Sequence, residues 1–160
     1  MLDYNTENFK IERIDYIDPD TLHEQLLKFD LYFAMGTAAL DGARLGVPTV
    51  RLDYSFEKVN KGYKYKFLFD VNGYSLGELI GSKCYNKGIY SMSELINKAE
   101  DDIAILSHDT FIFYQKNHSL SNATKLFIDF VENSKLNWGD IVNANILDSR
   151  LYNLWKKIRK

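Results

Sequence analysis

The sequence predicts an α/β fold: a parallel sheet flanked by helices, followed by a helical C-terminal part. Three observations predict it. A short apolar run, Leu31-Tyr32-Phe33-Ala34, has no polar face and suits a parallel strand buried on both sides. It is followed by a glycine, a helical stretch, a second glycine with a proline, and a second apolar run, Thr49–Leu52. Helix-forming periodicity with serine caps then dominates the chain beyond Ser91.

In order, Met1–Asn8 is polar and carries no periodic pattern. Phe9–Ile17 places Phe9, Ile11, Ile14, Tyr16 and Ile17 in partial alternation, which predicts a strand. Asp18-Pro19-Asp20 is a turn, and Asp20 or Thr21 can cap a helix through Lys28 with Leu22, Leu26 and Leu27 on its buried side. After the Leu31–Ala34 strand, Gly36-Thr37 opens a helix for which Thr37 is the expected N-cap, since its hydroxyl can accept from an orphan N–H. Ala38, Ala39 and Leu40 favour helix, and Asp41 falls in or near the first turn, where the dipole favours an anion. Gly46 is placed for a left-handed cap and Pro48 prevents continuation. The β-α-β unit so formed, Asp30–Asp53, spans about 24 residues, against the usual ~30 or more.

Tyr54–Lys66 reads as a loop rich in Lys, Tyr and Asn. Its alternating Tyr63-Lys64-Tyr65-Lys66 fits a solvated loop or edge strand better than a nucleic-acid or glycan contact. Lys66–Val71 is a short apolar strand or buried turn, and the glycines of the 72–77 segment predict a loop or short helix near the first glycine turn. Ser91 or Ser93 caps a helix to about Leu106, with Leu95, Ile96, Ala99, Ile103 and Leu106 at helical spacing. Ser119 or Ser121 starts another, to Val131, and Phe111, Phe113, Phe127 and Phe130 are expected in the core. A boundary near residue 134 separates this body from the tail. There Leu147, Leu151, Leu154, Trp155 and Ile158 share a helical face beside Arg150, Lys156, Lys157, Arg159 and Lys160. That pattern suits either a helix docked on the domain or one lying on an anionic membrane surface.

Composition narrows the function classes. The chain of 160 residues is 46% hydrophobic, the range of a soluble globular protein. A net charge of −2 supplies no field to attract nucleic acid, so none is expected as a partner. One cysteine, Cys84, excludes an internal disulfide and points to a reducing compartment. His23, His108 and His118 are scattered without ligand spacing, so no metal is predicted. His118, beside a helix start, reads as a capping or surface residue in preference to a base. No stretch has the ~18 apolar residues of a membrane span, and the polar N-terminus is unlike a signal peptide. The expected location is cytoplasmic, with peripheral contact at the inner face of the membrane if the tail binds lipid.

The candidate site is the turn itself. A glycine between a buried strand and a helix N-terminus gathers backbone N–H groups at the carboxyl end of a parallel strand, an arrangement suited to phosphate. The stretch resembles the C-terminal donor-binding domain of GT-B-fold glycosyltransferases of the group 1 / family 4-like kind, with their pattern E-x-F-G-x-x-x-x-E-A-x-x-x-G-x-P. Gly36, Asp41, Gly46 and Pro48 fall on it without a gap. The resemblance implies a partial Rossmann-like sheet in which Met35, Gly36, Thr37 and Ala38 hold the donor pyrophosphate and Asp41 bonds ribose hydroxyls. Phe33 stands where the family has its first acid, which contacts the donor sugar, so that contact is in doubt. The resemblance extends back to about Lys10.

By this resemblance the chain is the nucleotide-sugar-binding portion of a glycosyltransferase that moves a sugar from a nucleotide-diphosphate donor to a glycan or lipid-linked acceptor. No further cofactor is implied. An N-terminal glycosyltransferase domain or subunit would supply the acceptor side and the basic donor contacts, so the portion alone is expected to be inactive. The alternatives are a non-catalytic nucleotide- or phosphate-binding module and a bare interaction domain.

Overall fold

A computed structural model describes residues 9–140 except 15, 72, 136 and 138. The chain is mixed α/β. Its elements are α1 (Leu22–Leu26), β1 (Tyr32–Ala34), α2 (Thr37–Arg44), β2 (Thr49–Arg51), β3 (Lys66–Phe67), a 3₁₀ turn (Leu68–Asp70), α3 (Met92–Asn117) and α4 (Leu120–Asn133). The chain divides into two compact units after Ser119. No helix among the described residues is long and apolar enough to cross a membrane.

The sheet has the order β1-β2-β3. β1 and β2 are parallel, with Tyr32 opposite Thr49, Phe33 opposite Val50 and Ala34 opposite Arg51. β3 runs antiparallel to β2, so the sheet is mixed. The strand expected over Phe9–Ile17 is a correction. Phe9 makes only a bridge, and the described residues from 10 to 17 form no strand. Ile11 and Tyr16 are 50% and 79% exposed, so the alternation has no core face to bury against.

Side chains alternate across the strands into two apolar clusters. Ala34 joins Ala39, Ala43, Leu68 and Phe113 on one side. Val50 joins Phe67, Leu95, Ala99 and Leu106 on the other, with Phe33 packed against them. α3 contributes to both. Leu95, Ala99 and Leu106 serve one cluster and Phe113 the other, and the helix breaks at Asp102 (φ −132°, ψ 27°) between them. It therefore runs past the expected end at Leu106 to Asn117. Its start is the one expected: Ser91 accepts from the Glu94 N–H at 3.3 Å, and Glu94 accepts from the Ser91 N–H at 2.5 Å, a capping box.

α2 ends as its glycine requires. Gly46 has φ 73° and donates to the Ala43 carbonyl at 3.1 Å, while Val47 donates to the Gly42 carbonyl at 3.0 Å. These two bonds form a Schellman motif. The start differs from expectation. Gly36 is the N-cap and Thr37 the first helical residue, so the Thr37 hydroxyl does not cap. Asp41 is the fifth helical residue, one position further in than a Thr37 cap implies and just past the first turn.

In the second unit α4 buries none of its residues. Phe127 and Phe130, expected in a core, are 67% and 72% exposed, and Phe111 in α3 is 38% exposed. Only Phe113 of the four is buried. The predicted tail helix lies outside the described residues.

Candidate functional site

β1 delivers the chain into the glycine turn, and α2 leads it away on the far side of a left-handed residue. Gly36 has φ 66° and ψ −149°, and a side chain there would meet no atom within 4 Å. The turn therefore faces open space. Thr37 and Ala38 are exposed, and as the first two helical residues their N–H groups have no acceptor among the described residues.

The third amide of the turn is already engaged. Gly36 donates its N–H to the Leu76 carbonyl at 2.8 Å. Leu76 belongs to a segment, residues 73–81, that lies across the carboxyl ends of β1 and β2. This is the glycine-bearing loop that the sequence placed near the turn. Met35 is 46% exposed and rests against Gly77, where a Cβ would stand 2.6 Å from the Met35 Cγ.

Asp41 stands apart from this backbone group. Four residues along α2 set it about 6 Å further along the axis than Thr37. It is half-buried, and its charge acts on Tyr32 at the start of β1. Burial first, and Asp41 second, push the Tyr32 phenol above its ordinary value. Phe33, at the position of the family's first acid, is half-buried against the core, and its ring meets that of Tyr65 edge-on at 6.0 Å.

The sequence reading missed the ion network that holds the segment. Arg51 is fully buried at the end of β2. Its Nη2 lies 2.7 Å from Asp53 Oδ1, and its Nη1 donates to Glu78 Oε1 at 2.9 Å and Ser75 Oγ at 3.1 Å. The Glu78 N–H donates to Asp53 Oδ1 at 3.0 Å, and Tyr54 and the segment exchange N–H bonds through Glu78 and Ile80 at 3.0 and 2.9 Å. Burial opposes the Glu78 charge, yet the Asn86 N–H and Arg51 outweigh it and hold the carboxyl at about 2. Tyr63 donates to Asp53 Oδ2 at 3.1 Å, and burial first, then Asp53, raise its phenol. Beside them Lys66 is almost fully buried, and burial lowers its ammonium. The Tyr63–Lys66 alternation is thus used in large part by the fold. An arginine between a buried strand and an acid two residues on was the available signal.

His118 is the C-cap of α3 and donates its N–H to the Tyr114 carbonyl at 2.8 Å. Its ring packs on Tyr74 and Phe113, with centroids 5.7 and 5.5 Å away. Burial lowers its pKa, and Nε2 is buried without a partner among the described residues. A cleft of about 360 Å³ lies between the segment after β3 and the C-terminal part of α3, with Phe69, Val71, Asp109, Ile112 and Lys116 among its walls. None of Met35, Gly36, Thr37, Ala38 or Asp41 lines it.

The turn thus brings Met35, Gly36, Thr37 and Ala38 together at one opening, with Asp41 a turn away. No family model matches the chain, and no curated protein or solved structure matches it.

Proposed function

We propose that the chain is the C-terminal nucleotide-sugar-binding portion of a glycosyltransferase, its β1-α2-β2 unit forming part of a Rossmann-like sheet. The donor is a nucleotide-diphosphate sugar and the acceptor a glycan or a lipid-linked glycan. One observation carries the reading. The gap-free match of Gly36, Asp41, Gly46 and Pro48 to the donor motif falls on a parallel β-α-β unit whose two turn glycines both have positive φ. In this reading the free Thr37 and Ala38 amides and the α2 dipole stabilise the departing diphosphate. In this reading the described residues at the turn include no catalytic base. That group, the basic donor contacts and the acceptor side come from an N-terminal domain or subunit, and the portion alone turns over no nucleotide sugar.

A second reading, a phosphate- or nucleotide-binding module without transfer, is favoured by two specific facts. The Gly36 amide is engaged by Leu76, and Phe33 packs against the core where the sugar-contacting acid should be.

Titration of the full chain tests the shared core of both. Nucleoside diphosphates are expected to bind with a dissociation constant on the order of 0.1–1 mM, because only a few charged hydrogen bonds offset the cost of association. Gly36→Val should abolish binding of both nucleoside diphosphate and pyrophosphate. Asp41→Ala should weaken the nucleotide about tenfold, the loss of one charged hydrogen bond, and leave pyrophosphate unchanged. Equal weakening of both ligands removes the ribose role of Asp41. Absence of all binding removes the function.

A further inference from the structure

We propose that the loops 54–64 and 79–89 form a docking face for an anionic lipid surface, with Phe56 as its apolar tip. The inference stands apart from the functional reading above. It begins with charge. The two loops carry Lys58, Lys61, Lys64, Lys83 and Lys87 against one acid, Glu57, in a chain whose net charge is −2. The fold pairs Lys64, whose Nζ lies 3.1 Å from Glu94. Lys58, Lys61, Lys83 and Lys87 are exposed and have no acidic partner among the described residues. The acids beneath them, Asp53 and Glu78, are already engaged by Arg51.

The two loops make one surface. Ile80 donates its N–H to the Tyr54 carbonyl at 2.9 Å, and Ile89 donates to the Tyr65 carbonyl at 2.8 Å. A cleft of about 140 Å³ lies between the loops, with Val59, Tyr63, Ile80, Tyr85 and Lys87 among its walls.

Apolar side chains stand out beside the lysines. Phe56 is 88% exposed and Ile89 59%, and Tyr54 and Val59 are each 43% exposed. The Phe56 ring meets that of Tyr54 edge-on at 6.2 Å. A single exposed apolar side chain is ordinary. Four of them on the same joined loops as four unpaired lysines match the chemistry of a membrane interface. The apolar tips enter the boundary between headgroups and acyl chains, the lysine stems lie along it, and the ammonium groups meet lipid phosphates. A soluble polyanion would engage the lysines but leave Val59 and Ile89 nothing to bury against. The contact is peripheral, in keeping with described residues that hold no helix able to cross a bilayer.

The test is co-sedimentation of the full chain with vesicles of phosphatidylcholine alone and with vesicles of equal parts phosphatidylcholine and phosphatidylglycerol. The chain should bind the anionic vesicles and not the neutral ones, and added salt should weaken the binding. Lys58→Gln with Lys61→Gln, and separately Lys83→Gln with Lys87→Gln, should each weaken it about tenfold or more, and Phe56→Ser about tenfold. These side chains are exposed, so unfolding in urea should be unchanged. Lys156→Gln with Lys157→Gln, in the tail, should weaken binding less than either loop pair. The inference is overturned if the chain ignores anionic vesicles, or if the loop variants bind as the unaltered chain does while the tail variant does not. It is overturned equally if a single-stranded oligonucleotide binds more tightly than the vesicles and depends on the same lysines.

Discussion

Arg51 Nη2 stands 2.7 Å from Asp53 Oδ1, and both side chains are withdrawn from solvent. Two residues of one strand end form this pair, and Glu78, 27 residues away, completes it at 2.9 Å. Such a pair contributes little net stability relative to apolar groups of equal volume, but removal of one partner strands a buried charge. Arg51→Ala should therefore cost about 3–5 kcal/mol in urea unfolding. The doubly apolar variant Arg51→Met with Asp53→Leu should recover part of that loss, while the Gly36 amide loses its exchange protection because Ser75 and Glu78 are no longer held. A loss below ~1 kcal/mol for Arg51→Ala would show that water reaches the pair.

Gly42 is the close-approach residue of α2. A Cβ there would stand 2.6 Å from Tyr32 Cδ1 and 2.7 Å from Thr49 Oγ1. The helix gains about 1 kcal/mol from glycine to alanine, but overpacking costs about 1–3 kcal/mol. Thr49 is fully buried and its hydroxyl is fixed on the Val47 carbonyl at 2.8 Å, so it yields little. Gly42→Ala should destabilise the chain by up to about 2 kcal/mol net. A gain in stability in a denaturant titration would mean that Tyr32 swings aside.

His118 gives the fold a pH dependence. Burial places its folded pKa below the ordinary 6.5. The unfolded chain then binds the extra proton first as pH falls, so the contribution of His118 is fully present above 6.5 and is lost as pH falls through the folded value. His118→Gln, which retains the backbone cap on Tyr114, should flatten the stability profile below pH 6.5. An unchanged slope would assign the pH dependence to other groups.

The candidate site was legible in proportion to how local its contacts are. Gly36, Thr37 and Ala38 lie in consecutive order, and a strand-glycine-helix pattern is enough to place their amides together. The same holds for Gly46, whose two cap bonds reach only to Ala43 and back over Gly42. Thr37 was misplaced by one residue because a hydroxyl is the commoner N-cap, whereas the chain here needed φ 66° at Gly36 and put the cap there. Leu76 was legible only as part of a glycine-bearing loop near the turn. That its carbonyl occupies the Gly36 amide follows from the Arg51 network, which no local pattern encodes.

The sequence by itself determined the elements whose signals are local: the β1-α2-β2 unit, whose two strands pair across one short helix, the Gly46 cap, and the Ser91–Glu94 box that starts α3. The tertiary structure alone decided that β3 returns antiparallel to β2 and that the described residues from 10 to 17 form no strand. It also decided that Phe113 is buried while Phe127 and Phe130 are exposed. The physical reason is the range of the interactions. Apolar periodicity states that a face can be buried, but what it is buried against depends on where distant segments return, and that is settled only when the whole chain packs.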